Sequence, residues 1–276
     1  MIADLHAHTF FSDGLLTPEE IVDLAVEKNL DTLAITDHDT VSGIDRAINR
    51  SNLYKNFFII PGIELSCIYD DEEIHILGYF INYKSSCVKK ITKKLQDERI
   101  IRGKKIILKL NELGMNIKLS DVEKFAKGKI IGRPHIARTL IKKGYVRNME
   151  EAFSMFLNKD KPAYVERYKL SLKDAIDLIH SIGGIAIIAH PGLINNKEAI
   201  YYCIENGIDG IEVTHSKHSL EQVSYLINIA NKYSLIKTAG SDCHGELIDG
   251  EYLLGKYYVN IDNIPEFKRR VEIDNL

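Results

Sequence analysis

Six short stretches of this 276-residue chain carry side chains that could hold metal ions. The first is His6-Ala7-His8, with Asp13 beyond a polar turn. Ile2 to His8 reads as a strand, and strand residues i and i+2 point to the same side. Two imidazoles then aim at one point, onto which the next loop can fold Asp13. Neutral imidazole and carboxylate are ligands for zinc, manganese or iron. His-x-His alone is weak evidence, since two satisfied or surface histidines share the pattern. The other stretches add weight. Asp37-His38-Asp39 ends the apolar run Thr32 to Thr36, and His190 ends the run Ile185 to Ala189. Asp242-Cys243-His244 repeats the same-side pair with Cys243 turned away. Glu64 stands in an apolar stretch, which is costly unless it is paired or bound to a cation. His75 lies between Ile74 and Ile76.

His6, His8, Asp13, His38, Glu64, His75, His190, Asp242 and His244 make nine ligand candidates. One zinc or manganese takes about four to six ligands, so nine are too many for one ion. With one bridging carboxylate they suit two or three divalent ions, for which Mn, Fe and Zn fit alike. Such clusters serve hydrolysis, activating water and stabilising the attacking and leaving oxygens. The expected nucleophile is a metal-bound hydroxide, and no side chain is assigned as catalytic.

The elements that must position these residues alternate. Thr17-Pro18-Glu19-Glu20 starts a helix with an N-cap, a proline and first-turn acids, and it runs to about Asn29. Phe57 to Cys67 is apolar but broken by Pro61-Gly62, and Ile74 to Phe80 is a strand. Ser171 caps a helix to Ser181. Strands at Ile185–Ala189, Gly210–Thr214 and Ile236–Gly240 are separated by helices, and Lys256–Asn260 is a last strand. Alternation argues for a parallel sheet with helices outside, and the many polar strand ends favour a closed barrel. The region 83–165 breaks the pattern. It reads as all helical: Val88 to Leu113, a short helix opened by a capping box at Ser120, one entered through Arg133-Pro134-His135, and one capped by Asn148.

Composition is ordinary for a globular protein. Net charge is −3, but residues 83–165 hold 21 Lys+Arg against 8 Asp+Glu. A basic block inside an acidic chain implies an anionic partner for that block. No apolar run reaches membrane-spanning length, and no signal-peptide pattern opens the chain. The four cysteines lack Cys-x-x-Cys spacing and read as reduced thiols. A cytoplasmic protein with no membrane association and no obligate protein partner is expected.

Taken in order, these motifs resemble those of the PHP (polymerase and histidinol phosphatase) domain family. They are His6-x-His8 with Asp13, Thr36-Asp37-His38-Asp39, Gly62-Ile63-Glu64, His75-Ile76-Leu77-Gly78, Ala189-His190-Pro191 and Gly240-Ser241-Asp242-x-His244. The resemblance implies an α/β fold: a distorted (β/α)7 barrel, residues 1–82 and 166–276, with the helical insertion 83–165 as a cap. It also implies a trinuclear site. His6, His8, Glu64 and Asp242 would hold one ion, Asp13, His38 and His244 a second, and Glu64, His75 and His190 a third.

Gly132-Arg133-Pro134-His135-Ile136-Ala137 narrows the resemblance to the branch of nucleoside 3′,5′-bisphosphate phosphatases and the 5′→3′ exoribonuclease of ribosomal RNA maturation. There Arg133 and His135 would face the substrate phosphate, and an Arg beside a helix N-terminus is a suitable clamp. Arg167, Lys169, His215 and His218 are weaker phosphate-contact candidates. The expected substrate is a nucleotide or short RNA. The competing readings are a histidinol-phosphate-type phosphatase, which should lack the basic cap, another small-molecule phosphatase, an amidohydrolase, and a non-catalytic metal domain.

Overall fold

The computed structural model describes residues 1–126, 131–166 and 168–274. The strands before the insertion are β1 (Ile2–Asp4), β2 (Thr32–Ile35), β3 (Phe58–Tyr69) and β4 (Glu72–Tyr79). After it come β5 (Leu170–Ser171), β6 (Ile185–Ile188), β7 (Gly210–His215) and β8 (Ile236–Gly240). A small hairpin, β9 (Leu247–Ile248) and β10 (Glu251–Tyr252), precedes β11 (Val259–Asn260). The hydrogen-bonded order is β11-β1-β2-β3-β4-β6-β7-β8, with β5 beside the end of β3. The segments following β1 and β8 then meet. Leu5 N–H donates to the Ala239 carbonyl at 3.2 Å, Asp242 N–H to that of His6 at 2.9 Å, and His8 N–H to that of Cys243 at 3.0 Å. These bonds close the wall into the expected distorted barrel. Its interior is filled by Leu5, Ile60, Leu77, Tyr79 and Ile187, and the Tyr79 hydroxyl donates to the Leu5 carbonyl.

Four local expectations are corrected. The regular first strand ends at Asp4, not His8: β11 pairs only with Ile2 and Ala3, β2 only with Ala3 and Asp4, and from Leu5 the chain bonds to β8. β3 runs unbroken through Pro61-Gly62. Phe58 to Pro61 pair with β2 in parallel, and Gly62 to Tyr69 pair with β4 antiparallel, so the proline falls at a change of partner. The sheet is therefore mixed, since β4 is antiparallel to both β3 and β6. The short helix of the insertion is capped at Lys118, not Ser120, with the Asp121 carboxylate accepting from the Lys118 N–H.

Helices α1 (Pro18–Glu27) and α2 (Ile44–Ser51) cover β1 and β2. The Thr17–Glu20 capping box opens α1 as read from the sequence. α2 was not anticipated, although Ile44, Ala47 and Ile48 have helical spacing. The insertion comprises α3 (Ser86–Glu112), α4 (Leu119–Glu123), α5 (Arg133–Lys142) and α6 (Met149–Ala152), the last extended by a π turn to Leu157. Val88 and Leu95 of α3 pack into the layer outside the barrel, whereas Ile106, Leu110, Ile136 and Leu140 form a separate apolar cluster. α7 (Leu172–Ser181), α8 (Glu198–Glu205) and α9 (Leu220–Lys232) cover the other half, and α10 (Pro265–Asp274) packs Phe267 against Tyr79. Among the described residues no helix is long and apolar enough to cross a membrane.

Candidate metal centre

Glu64 lies at the middle of one rim of the barrel, fully buried. Its Oε2 is 2.9 Å from His38 Nδ1, 3.2 Å from His8 Nε2 and 3.4 Å from His6 Nε2. Its Oε1 is 2.8 Å from His75 Nδ1 and 3.0 Å from His190 Nε2. The β3–β4 hairpin sets part of this. Glu64 pairs with Leu77, so His75, two residues on, projects from the same face. On either side, Asp242 Oδ1 lies 3.1 Å from His8 Nε2, and Asp13 Oδ1 lies 3.3 Å from His244 Nε2. All nine candidates read from the sequence meet at this rim. Among the described residues, donor atoms of seven of them fall into groups within 4.8 Å of one another: His8, Asp13, His38 and His244; His6, His8 and Glu64; His38, Glu64 and His75. A fourth group joins His6 to Glu212 and His215, while His190 and Asp242 border the cluster without entering a group.

Two of these residues stand on left-handed backbone: His190 at φ 31° and Asp242 at φ 55°. Each stands two residues past the end of a barrel strand, where a sharp turn re-aims the side chain over the rim. A bulge in β7 between Glu212 and Thr214 does similar work. Without it Glu212 and His215, three apart, would face opposite sides; with it both are buried against the cluster.

Glu212 was missed in the sequence, though its position in the apolar run Gly-Ile-Glu-Val-Thr-His is the same signal that marked Glu64. Its Oε1 lies 3.1 Å from His6 Nδ1, and its Oε2 accepts the His190 N–H at 2.7 Å. Asp4 is buried beneath and accepts the N–H groups of His6, Ser241 and Gly255. Asp37 accepts from Thr9 and Ser12, which ties the Asp13 loop to the end of β2.

The electrostatics suit cations. Burial raises the Glu64 carboxyl, but the imidazoles of His38, His75 and His6 hold it well below the usual carboxylate range. Burial acts likewise on Asp13 and Asp242, and His244 foremost among their neighbours holds both low. Burial pulls His75 and His244 down, yet the adjoining carboxylates carry them up to about 9 and about 10. His38 goes to about 4, with burial the dominant cause. Despite these close approaches, His6 Nε2, both His8 ring nitrogens, Asp13 Oδ1, His38 Nδ1 and Glu64 Oε2 are buried with no neighbour in hydrogen-bond geometry, among the described residues. Unpaired buried polar atoms are costly. So many at one point, all metal-ligating types, fit a set of divalent ions.

The insertion reaches this rim. Arg138 donates to the Asp13 carbonyl and to Glu246. A cleft of about 170 Å³ beside the cluster is lined by Asp13, His38 and His75 on one side and by Arg99, Arg102, Arg133 and Phe153 on the other. Arg99 and Arg102 went unnoticed in the sequence, since a lysine-rich helix does not show which cations turn inward. Arg99 is nearly buried, with Nε 2.7 Å from Asp39 Oδ2 and a further bond to Ser66 Oγ. Arg133 is 3.3 Å from Glu73 Oε2. His135 is buried, with Nδ1 accepting the Gly132 N–H and Nε2 unpartnered. Burial lowers its imidazole to about 4.

Of the weaker candidates, His215 lies in the cluster with Nε2 3.4 Å from Asp242 Oδ2. Lys169 is buried and 3.2 Å from Glu73. His218 has both ring nitrogens engaged: Nδ1 with the Val213 carbonyl, Nε2 accepting the Gly192 N–H. It pins a loop where a substrate contact was expected. Arg167 lies outside the described residues.

The PHP domain pattern matches residues 4–212. The chain belongs to the PHP domain family. Two relatives of this PHP chain are the 5′-3′ exoribonuclease Rnm of Escherichia coli, 35% identical over 88% of the chain and 85% of the relative, and the 3′,5′-nucleoside bisphosphate phosphatase of Chromobacterium violaceum, 30% identical over 87% and 86%. The fold is similar to that of a protein from Bifidobacterium adolescentis described as a metal-dependent phosphoesterase, with TM-score 0.88, 29% identity and 96% and 94% of the two chains covered. A structure from Chromobacterium violaceum described as an amidohydrolase with bound sulfate and no metal has TM-score 0.81 and 30% identity over 87% and 86%. This PHP domain is a metal-dependent phosphoesterase.

Proposed function

We propose that the enzyme hydrolyses the bond between phosphorus and the 3′ oxygen of a 5′-phosphorylated nucleotide. The 3′ phosphoryl group is either free, as in a nucleoside 3′,5′-bisphosphate, or carries the next nucleotide of a short RNA. One reaction then covers both relatives' activities: water adds to phosphorus, the 3′ oxygen leaves and takes up a proton, and a 5′-nucleotide is released. The observation that carries this reading is the placement of Arg99, Arg102 and Arg133 along a cleft whose opposite wall is the ligand cluster. Guanidiniums there suit a second phosphate.

We assign His6, His8, Glu64 and Asp242 to one ion, Asp13, His38 and His244 to a second, and Glu64, His75 and His190 to a third. Bound divalent metal would supply Lewis-acid polarisation and water activation at neutral pH. The protein's residues do the rest. Glu64 gathers five imidazoles around one carboxylate. Glu212 orients His6. Arg133 gives up part of its pairing with Glu73 to neutralise phosphate, and His135, held neutral by burial, offers a hydrogen bond without adding charge. Insertion residues 83–165 act as the cap, and the exposed lysines of α3 favour an RNA extension beyond the cleft.

The test is a panel of nucleoside 3′,5′-bisphosphates, 5′-phosphorylated oligoribonucleotides, histidinol phosphate and an aryl phosphate, assayed after chelation and with Mn²⁺, Zn²⁺ or Fe²⁺ restored. Turnover of the first two substrates above the others, only with metal, supports the reading. Preference for histidinol phosphate would overturn it.

A further inference from the structure

A second cleft, of about 260 Å³, opens on the other side of His75 from the arginine-lined one. The two clefts share Glu73, His75 and Arg133, so the Glu73–Arg133 pair stands between them. Their chemistry differs. The first is walled by guanidiniums. The second is walled by Ile74, Leu193 and Ile194, with His75 and His190 beneath.

Leu193 is 43% exposed. A lone exposed leucine means little, but the loop that presents it is held with unusual thoroughness. Gly192 N–H donates to His218 Nε2 at 3.0 Å, and Gln222 Nε2 donates to the Gly192 carbonyl at 2.7 Å. Lys197 Nζ donates to the carbonyls of Pro191 and Ile194. Glu72, at the start of β4, accepts the N–H groups of Asn195 and Asn196 at 2.6 and 2.8 Å. Four side chains, His218, Gln222, Lys197 and Glu72, thus fix the backbone of the turn. What it offers the cleft is apolar surface, backed by the buried Ile74 and Ile194. A rigid apolar wall beside a cluster of charged ligands suits a molecule with one charged end and one flat apolar end.

We propose that Leu193, with Ile74 and Ile194 behind it, seats the base of the nucleotide whose phosphate lies at the metal centre. This deepens the reading given under Proposed function and rests on it. The cleft is slightly below the range of about 300–1,000 Å³ for drug-sized ligands, which fits one base and not a dinucleotide. The wall of Ile74, Leu193 and Ile194 carries no side-chain donor or acceptor, so its contribution is to favour a base over no base.

The experiment compares adenosine 3′,5′-bisphosphate with ribose 3,5-bisphosphate, which carries the phosphates without a base. The readout is the ratio of their kcat/KM values. Leu193→Ser should lower that ratio roughly 10-fold, the scale of losing one apolar side-chain contact. Leu193→Phe, which keeps apolar contact, should hold the ratio at the wild-type value or raise it. A thermal melt of both variants accompanies the assay. An unchanged ratio in Leu193→Ser, or equal losses on both substrates, would overturn the seat while leaving the phosphoesterase reading intact. Failure of the wild-type enzyme to hydrolyse both adenosine 3′,5′-bisphosphate and a 5′-phosphorylated oligoribonucleotide would overturn that reading, and the seat with it.

Discussion

Glu212 stands behind His6, with Oε1 3.1 Å from Nδ1, and the same carboxylate accepts the backbone N–H of His190 at 2.7 Å. One side chain on β7 thus fixes the orientation of one ligand candidate and the backbone of another. With Nδ1 turned to this carboxylate, Nε2 is the ring nitrogen that faces Glu64 at 3.4 Å and Asp242 at 3.5 Å, the position from which it would bind an ion on losing its proton.

Removing that support should weaken metal binding more than it weakens the fold. Carboxylates hydrogen-bonded to ligating imidazoles typically contribute about 10- to 100-fold in metal affinity. Glu212→Gln should fall in that range, with the ions still able to bind at raised concentration. Competitive titration with a metal chelator measures it; wild-type affinity in the variant would remove Glu212 from the site.

Loss of Glu64 should exceed loss of Asp13. Five imidazoles converge on Glu64, while Asp13 faces His244 at 3.3 Å and His38 at 4.0 Å. Glu64→Gln is therefore expected to lose more than one ion per chain and Asp13→Asn one. Elemental analysis of the purified variants decides; equal, small losses would contradict the bridging assignment.

Arg133→Ala should impair substrate use without removing metal. A charge-assisted contact is worth about 1.5–3 kcal/mol, so kcat/KM should fall roughly 10- to 150-fold for a bisphosphate or a 5′-phosphorylated RNA. An aryl phosphate, which has no second phosphate, should lose much less. Steady-state kinetics on both substrates with metal content in parallel provide the check. Equal losses on the two would mean that Arg133 does not recognise the second phosphate.

Stability of the metal-free protein should peak near pH 6.5. His75 and His244, raised to about 9 and about 10, stabilise fully below the unfolded imidazole value and lose that contribution as pH rises through those values. His38 and His135, both lowered to about 4, favour the folded state above about pH 6.5 and lose that contribution as pH falls toward 4. The depressed carboxylates Glu64, Asp13 and Asp242 add a further loss below about pH 4. Metal binding requires neutral imidazoles and releases their protons. Added Mn²⁺ should therefore raise Tm most at alkaline pH. Thermal melts from pH 4 to 10, with chelator and with metal, test both statements; a metal-free Tm that climbs steadily to pH 10 would refute the first.

The chain by itself determined which residues could ligate metal and where along the strands they stand. Imidazoles and carboxylates that follow apolar runs are visible without a structure, because a barrel strand must be apolar while its rim can be polar. It also showed the basic helical insertion and the capped start of α1. What only the tertiary structure decided was relative placement. Glu212 and His215 share a face only because β7 carries a bulge, which a three-residue spacing does not reveal. Glu64 and His75 meet because β3 changes partner at Pro61 and then pairs antiparallel with β4, where the sequence suggested a break. Arg99 and Arg102 look like any cations of a solvated helix until the docking of α3 turns them toward the cleft. His218 looked like a substrate contact because it lies near the rim, but both its nitrogens are taken by backbone groups that local spacing cannot pair. Residue chemistry is local and can be read along the chain; the register, bulges and helix docking that bring the residues together depend on contacts far apart in sequence.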